Sequence, residues 1–313
     1  MADQQNILQR IAEKTRERVE AERAARPLAD VAAEARAVAC ARAAAGERGE
    51  AAFPFERALR EPGMSFICEV KRASPSKGLI AADFDPVAIA RSYEAAGAAA
   101  VSCLTEPTWF RGSDDYLRAI AAEASIPVLR KDFVVDEYMV YQARACGASA
   151  VLLIVSILDD AQLAAYVALA HELGMSALVE AYEPEEVPRA MAAGARVVGV
   201  NNRDLRTFEV DFGRSVDLRP LVGPDRVFVS ESGVETRADV ALLEAAGVDA
   251  VLVGETLMRA ADKRAKLDEL RGAGAAGTPA SAPRAAAPAA HGSAPSTDGS
   301  AGRVASPAGG GAR

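Results

Sequence analysis

Eight short apolar runs recur at intervals of about 20–30 residues and predict an α/β protein, a (β/α)8 TIM barrel. An N-terminal helical extension and a disordered C-terminal tail flank it. The runs are Phe66–Val70, Ala99–Leu104, Ile126–Leu129, Ala150–Val155, Ala177–Val179, Val197–Val200, Val227–Val229 and Ala250–Val253. Runs this short and uniformly apolar read as strands of a parallel sheet, buried on both faces. Helical patterns lie between them, and five end in a glycine just before the next strand: Gly97, Gly147, Gly174, Gly194 and Gly247. Glycine there takes the left-handed conformation that stops a helix and turns the chain. A doubly wound open sheet would need a glycine-rich turn at a strand end, and none follows these runs.

In chain order, residues 4–24 read as a helix with Ile7, Leu8, Ile11 and Val19 as a partial apolar stripe. Leu28–Ala45 is a second, alanine-rich helix, and Pro54, Pro62 and Gly63 mark a loop into the first strand. Residues 1–65 thus form an extension packed on the barrel, and 66–271 the barrel itself. Residues 272–313, almost all Ala, Gly, Pro and Ser, cannot bury enough apolar surface to order and read as a disordered tail.

Composition narrows the function classes. A net charge of −8 argues against nucleic-acid or anionic-membrane binding. Half the residues are hydrophobic but only 5% aromatic, so Ala, Val, Leu and Ile must fill the core. Cys40, Cys68, Cys103 and Cys146 are scattered in apolar settings and read as small buried hydrophobes in a reducing cytosol. The polar N-terminus has no signal-peptide pattern, and no run approaches the roughly 18 apolar residues of a membrane span, so a cytoplasmic protein is expected.

The strand ends carry the chemistry. Alternation sends Glu69 and Lys71 to one face of the first strand, where two charges are costly unless paired or used. Ser74 follows. The third run ends in Arg130, Lys131 and Asp132, of which alternation turns only one of Arg130 and Lys131 to the barrel axis. A lysine among other cations there would have a lowered pKa and suit a general acid; an ordinary loop charge is the alternative. Glu180 ends the fifth run, either as a partly desolvated base or as a lysine's ion-pair partner. Asn201, Asn202, Arg203 and Asp204 end the sixth, and Ser230, Glu231, Ser232 and Gly233 the seventh. Ser232 and Glu235 form a capping-box pattern, and Gly254 and Glu255 open the helix after the eighth run. Two neighbouring helix N-termini with glycines predict a phosphate site, at the position where such barrels commonly bind one. His171 reads as mid-helix, and with His291 in the tail no His triad or metal cluster is available. No cofactor motif is present. Trp109 either lines a pocket or packs over the barrel mouth.

The segments EVKRASPSKG, LRKDF, LVEAY, GVNNRDL, SESG and LVGETLM resemble, in this order, the signatures of the indole-3-glycerol-phosphate synthase family. The resemblance spans roughly residues 5–270 and leaves out the tail. It implies a carboxy-lyase of tryptophan biosynthesis, closing 1-(2-carboxyphenylamino)-1-deoxyribulose 5-phosphate to indole-3-glycerol phosphate with loss of CO2 and water. It implies Lys131 as the general acid on the carbonyl oxygen, and Lys71, Glu69 and Glu180 for the remaining acid–base steps. Asn201 would orient Glu180. Ser232, Gly233, Gly254 and Glu255 would cradle the phosphate, Glu255 through its backbone alone because a carboxylate beside a phosphate must turn away. Phe110, Phe133, Leu152 and Leu205 would wall the anthranilate ring, with Ser74 near its carboxylate and Arg203 and Glu231 also on the substrate. A small phosphorylated substrate, no cofactor, no metal and no nucleic acid are implied. So are a monomer and weak association with other enzymes of the pathway. Phosphoribosylanthranilate isomerase, the nearest competitor, should carry a Cys and an Asp at the rim, whereas Cys68 and Cys103 lie inside strands. A catalytically idle metabolite binder would need only the phosphate cradle.

Overall fold

A computed structural model describes residues 7–47, 49–204 and 209–273. Three helices come first: α1 (Ile7–Ala25), α2 (Leu28–Ala44) and the short α3 (Pro54–Leu59). Pro54 therefore opens a helix instead of marking a loop, since at the first helical position its missing N–H costs nothing. Strands and helices then alternate: β1 (Ser65–Val70), α4 (Pro86–Ala95), β2 (Ala100–Leu104), α5 (Asp114–Glu123), β3 (Val128–Lys131) and α6 (Glu137–Ala145). They continue as β4 (Ala150–Ile154), α7 (Asp160–Glu172), β5 (Ser176–Ala181), α8 (Glu186–Ala192), β6 (Val197–Asn201) and α9 (Gly213–Leu218). The last are β7 (Val227–Glu231), α10 (Arg237–Ala245), β8 (Ala250–Val253), α11 (Glu255–Arg259) and α12 (Lys263–Arg271). Each strand pairs in parallel with the next, and β8 returns to β1 with Phe66 opposite Val251, closing an eight-stranded barrel.

Strand alternation divides the core in two. Phe66, Cys68, Val101, Val151 and Val198 pack outward beneath the helices. Ile67, Leu129, Leu178, Val197, Val229 and Leu252 face inward and fill the barrel. The interior is stoppered at both ends: Phe55 and Leu59 of α3 join it from the N-terminal side of the strands, Leu8 and Ile11 of α1 from the other. All five turn glycines have positive φ, between 69° and 91°, as the helix-to-strand reversals require.

Several strands outrun their apolar cores. β3 begins two residues later than expected because Pro127 has no N–H to give the ladder, and it ends on Lys131 itself. β5, β6 and β7 likewise include Glu180, Asn201 and Glu231. Cys68, Cys103 and Cys146 are buried, but Cys40, in the C-terminal half of α2, is exposed. His171 lies in the last turn of α7, not mid-helix. No helix of the described residues is long and apolar enough to cross a membrane. The first two residues of the expected disordered tail instead close α12: Gly272, with φ +77°, is its C-cap, and the Ala273 N–H donates to the Asp268 carbonyl at 2.9 Å. The rest of the expected tail, from residue 274 onward, lies outside the described residues.

Candidate active site

The strand alternation that fills the lower barrel with apolar side chains delivers charged ones at its C-terminal mouth. Glu69, Lys131, Glu180, Asn201 and Glu231 occupy the inward positions next above Ile67, Leu129, Leu178, Gly199 and Val229. All five line one cavity. Lys131 Nζ lies 3.1 Å from Glu231 Oε2 and 3.4 Å from Glu180 Oε2. Lys71, just beyond β1, pairs with Glu69 as their shared face predicts. Arg130, of opposite parity, turns outward to Asp114, Gln142 and the Met139 carbonyl.

Burial works against the Lys131 ammonium, but Glu231, Glu180 and Glu69 outweigh it and raise its pKa above the ordinary lysine value. This overturns the expected lowering. The lysine is ringed by carboxylates from three strands, not by cations. Burial pushes the Glu231 carboxyl up to about 8 against the pull of Lys131. Gly199 leaves room for Glu231: a Cβ there would run into its Oε1. A Cβ on Gly254 would strike the Glu69–Lys71 pair in the same way.

A polar relay continues round the rim. Ser232 Oγ donates to Asn201 Oδ1 at 2.9 Å, and Asn201 Nδ2 donates to Glu180 Oε1 at 3.4 Å. Ser232 is no helix cap. Its φ is +71°, while Thr236, extended at φ −131°, caps α10 and forms the capping box with Asp239. α11, by contrast, begins directly behind β8, with Gly254 as its cap position. Ser232, Gly233, Gly254 and Glu255 line one side of the cavity. The Glu255 carboxylate is taken up by Arg259 at 3.0 Å and Lys77 at 3.8 Å.

The opposite wall is apolar. Phe110 and Phe133 stand with centroids 5.9 Å apart, and Leu152 joins them along the cavity. Trp109 packs half-buried against the inner core and does not line the cavity. Ser74 and Arg203 are on the lining; Leu205 lies outside the described residues. Sequence reasoning missed Ile7 and Ile11 of α1, which roof the cavity, and the inward Leu104, Ile154 and Leu252, which ordinary apolar alternation conceals. It also missed the work of Asp132. That buried carboxylate accepts Arg18 of α1 at 2.9 and 3.0 Å, Thr105 Oγ1 at 2.7 Å and the Phe133 N–H at 2.8 Å. It ties the roof to the apolar wall.

A family model described as indole-3-glycerol phosphate synthase matches residues 8–270. A protein of that name from Lachnoclostridium phytofermentans is 54% identical over 219 residues, covering 70% of this chain and 81% of its own. One from Streptomyces coelicolor, indole-3-glycerol phosphate synthase 2, is 55% identical over 208 residues, 66% of this chain and 81% of its own. Among solved structures, the 3-hexulose-6-phosphate synthase of Salmonella typhimurium superposes with TM-score 0.56 at 15% identity. It covers 66% of this chain and 96% of that one, a likeness of fold alone. Matched by the family model along nearly all of its described length, and more than half identical to such relatives, the chain belongs to the indole-3-glycerol phosphate synthase family.

Proposed function

We propose that this protein closes 1-(2-carboxyphenylamino)-1-deoxyribulose 5-phosphate to indole-3-glycerol phosphate, releasing CO2 and water, with side chains alone supplying the acid–base chemistry. The observation that carries the reading is the Lys131 ammonium, placed 3.1–3.4 Å from the carboxyl groups of Glu231 and Glu180 in the lining of a cavity with one apolar and one glycine-rich wall. Its raised pKa keeps it protonated at neutral pH, so a proton donor is always present where the ketone oxygen becomes an alkoxide. As the carboxyl-bearing ring carbon attacks that ketone, Lys131 protonates the oxygen. CO2 then leaves with its bonding pair returning to the ring. Loss of the new hydroxyl as water, with a proton removed from the adjacent CH2 carbon and acid–base assistance from the Lys71–Glu69 pair and Glu180, forms the C=C bond that completes the indole.

The other residues take positioning roles in this scheme. Asn201 holds Glu180 and is itself held by Ser232. Phe110, Phe133 and Leu152, with Leu205, sandwich the arene; Ser74 and Arg203 serve the carboxylate end. Glu231 shares protons with Lys131. Backbone N–H groups of Ser232, Gly233, Gly254 and Glu255 receive the phosphate. A cytoplasmic monomer, weakly associated with other enzymes of the pathway, belongs to the same reading. Only Leu79, Val210, Leu221 and Leu242 are large apolar side chains exposed among the described residues, and they sit on four separate segments.

Indole fluorescence appearing from the carboxyphenylamino substrate tests the proposal. Wild type should turn over, and Lys131→Ala should lose on the order of a thousand-fold in kcat while still binding substrate. Tight binding without turnover in wild type would make the protein a metabolite binder instead. Equal turnover in both would remove Lys131 from the acid role.

A further inference from the structure

We propose that Glu106 is a positioning residue that holds the β2–α5 loop so that Phe110 stands as a fixed wall of the arene slot. The inference rests on the reading of that wall as the arene slot. Glu106 is only 2% exposed and does not line the cavity, so any influence on the substrate must pass through the loop. Its Oε1 accepts the Thr108 N–H at 2.8 Å, and its Oε2 accepts those of Trp109 at 2.7 Å and Phe110 at 3.0 Å. Pro107 has no N–H, so every backbone donor between Glu106 and Phe110 ends on this one group. A carboxylate suits that task because it accepts at both oxygens and donates at neither.

The turn needs such a hold. Arg111, directly after Phe110, has φ +53°, a conformation that side chains other than glycine resist. A Cβ at Gly112 would run into the Leu104 carbonyl, so the backbone passes very close to the strand there. Gly112 N–H closes the loop onto the Glu106 carbonyl at 2.8 Å. Unfavourable backbone persists only where its surroundings over-determine it, and the three bonds to Glu106 do so. The facing ring is fixed by the same device: Phe133 N–H donates to buried Asp132, which Thr105, the neighbour of Glu106, also reaches. Two buried carboxylates therefore set the two aromatic rings of the slot from just beyond the ends of adjacent strands β2 and β3.

The chain has a single tryptophan, Trp109, whose N–H is one of the three donors, so its emission reports on the loop directly. The experiment compares full-length wild type, Glu106→Ala and Glu106→Asp. It reads kcat and KM, Trp109 emission without ligand, and calorimetric affinity for indole-3-glycerol phosphate and for glycerol 3-phosphate, which lacks the arene. Glu106→Ala should lose about ten-fold in affinity for indole-3-glycerol phosphate and gain about as much in KM. Its glycerol 3-phosphate affinity should hold and its Trp109 emission should shift to the red. Glu106→Asp, whose shorter carboxylate still reaches N–H groups two and three residues on, should recover most of the loss. Should the alanine variant not fold, Glu106→Gln carries the comparison and must bind less well than Glu106→Asp, because its amide turns a donor toward donors. Equal losses for both ligands, or unchanged Trp109 emission, would overturn the proposal. A wild type that neither binds indole-3-glycerol phosphate nor turns over would sink the functional reading itself, while the emission of the variants would still report whether Glu106 holds the loop.

Discussion

At Lys131 and Glu231, one burial pushes two groups in ways that only their shared neighbourhood explains. The lysine keeps its proton because three carboxylates surround it. Glu231 gives its proton up late because it is the most deeply buried of them. The Glu231 pKa is raised in the folded protein, so between about pH 4.5 and about 8 the native state holds a proton that the unfolded chain has released. Its contribution to stability is therefore full below that window and is lost as pH rises through it. Glu231→Gln removes the titration. In thermal melts, the variant's stability relative to wild type should rise across the window, by a few kcal/mol at most. A constant difference would mean that this carboxyl titrates normally. The residue types at the mouth, and the parity separating Lys131 from Arg130, were legible in sequence. The sign of the lysine's shift was not, because the partners that decide it sit 49 and 100 residues away on other strands.

Strands and caps show where local patterns stop being informative. Apolar runs located all eight strands but ended too early at Lys131, Glu180, Asn201 and Glu231. The backbone ladder continues past the first charge when that charge faces a polar mouth. Before α10, two consecutive capping patterns compete: Ser232 with Glu235, and Thr236 with Asp239. Backbone conformation decides for the second, since a cap residue must be extended and Ser232 is left-handed. Thr236→Ala should thus cost about 1 kcal/mol in urea unfolding with kcat and KM close to wild type. Ser232→Ala should show the opposite profile: little change in stability, but a several-fold higher KM through the lost hydroxyl bond to Asn201. A stability loss in Ser232→Ala matching that of Thr236→Ala would contradict this division.

On the scale of the molecule, the two ends of the barrel respond to pH in opposite directions. His171, in the last turn of α7 at the end remote from the cavity, packs edge-on against Phe53. Burial, then Arg196, push its pKa down to about 4. The unfolded chain takes up a proton near pH 6.5 that the folded one refuses, so stability is lost as pH falls from about 6.5 to about 4. Wild type should lose stability relative to His171→Leu across that range in thermal melts; parallel curves would remove His171 from the acid response. The architecture itself was legible because a repeat of strand, helix and glycine is a property of the chain that needs no knowledge of distant contacts. The strap of α1 over the mouth was not, since the bonds that fix it, such as Arg18 to Asp132 and Arg23 to Asp136, span 114 and 113 positions. The closure of the ring has a further consequence during synthesis. β1 emerges early from the ribosome, yet one of its two neighbours is β8, the last strand to be translated. Until then the nascent sheet has two open edges, each an invitation to pair with another chain, and the final strand seals both at once.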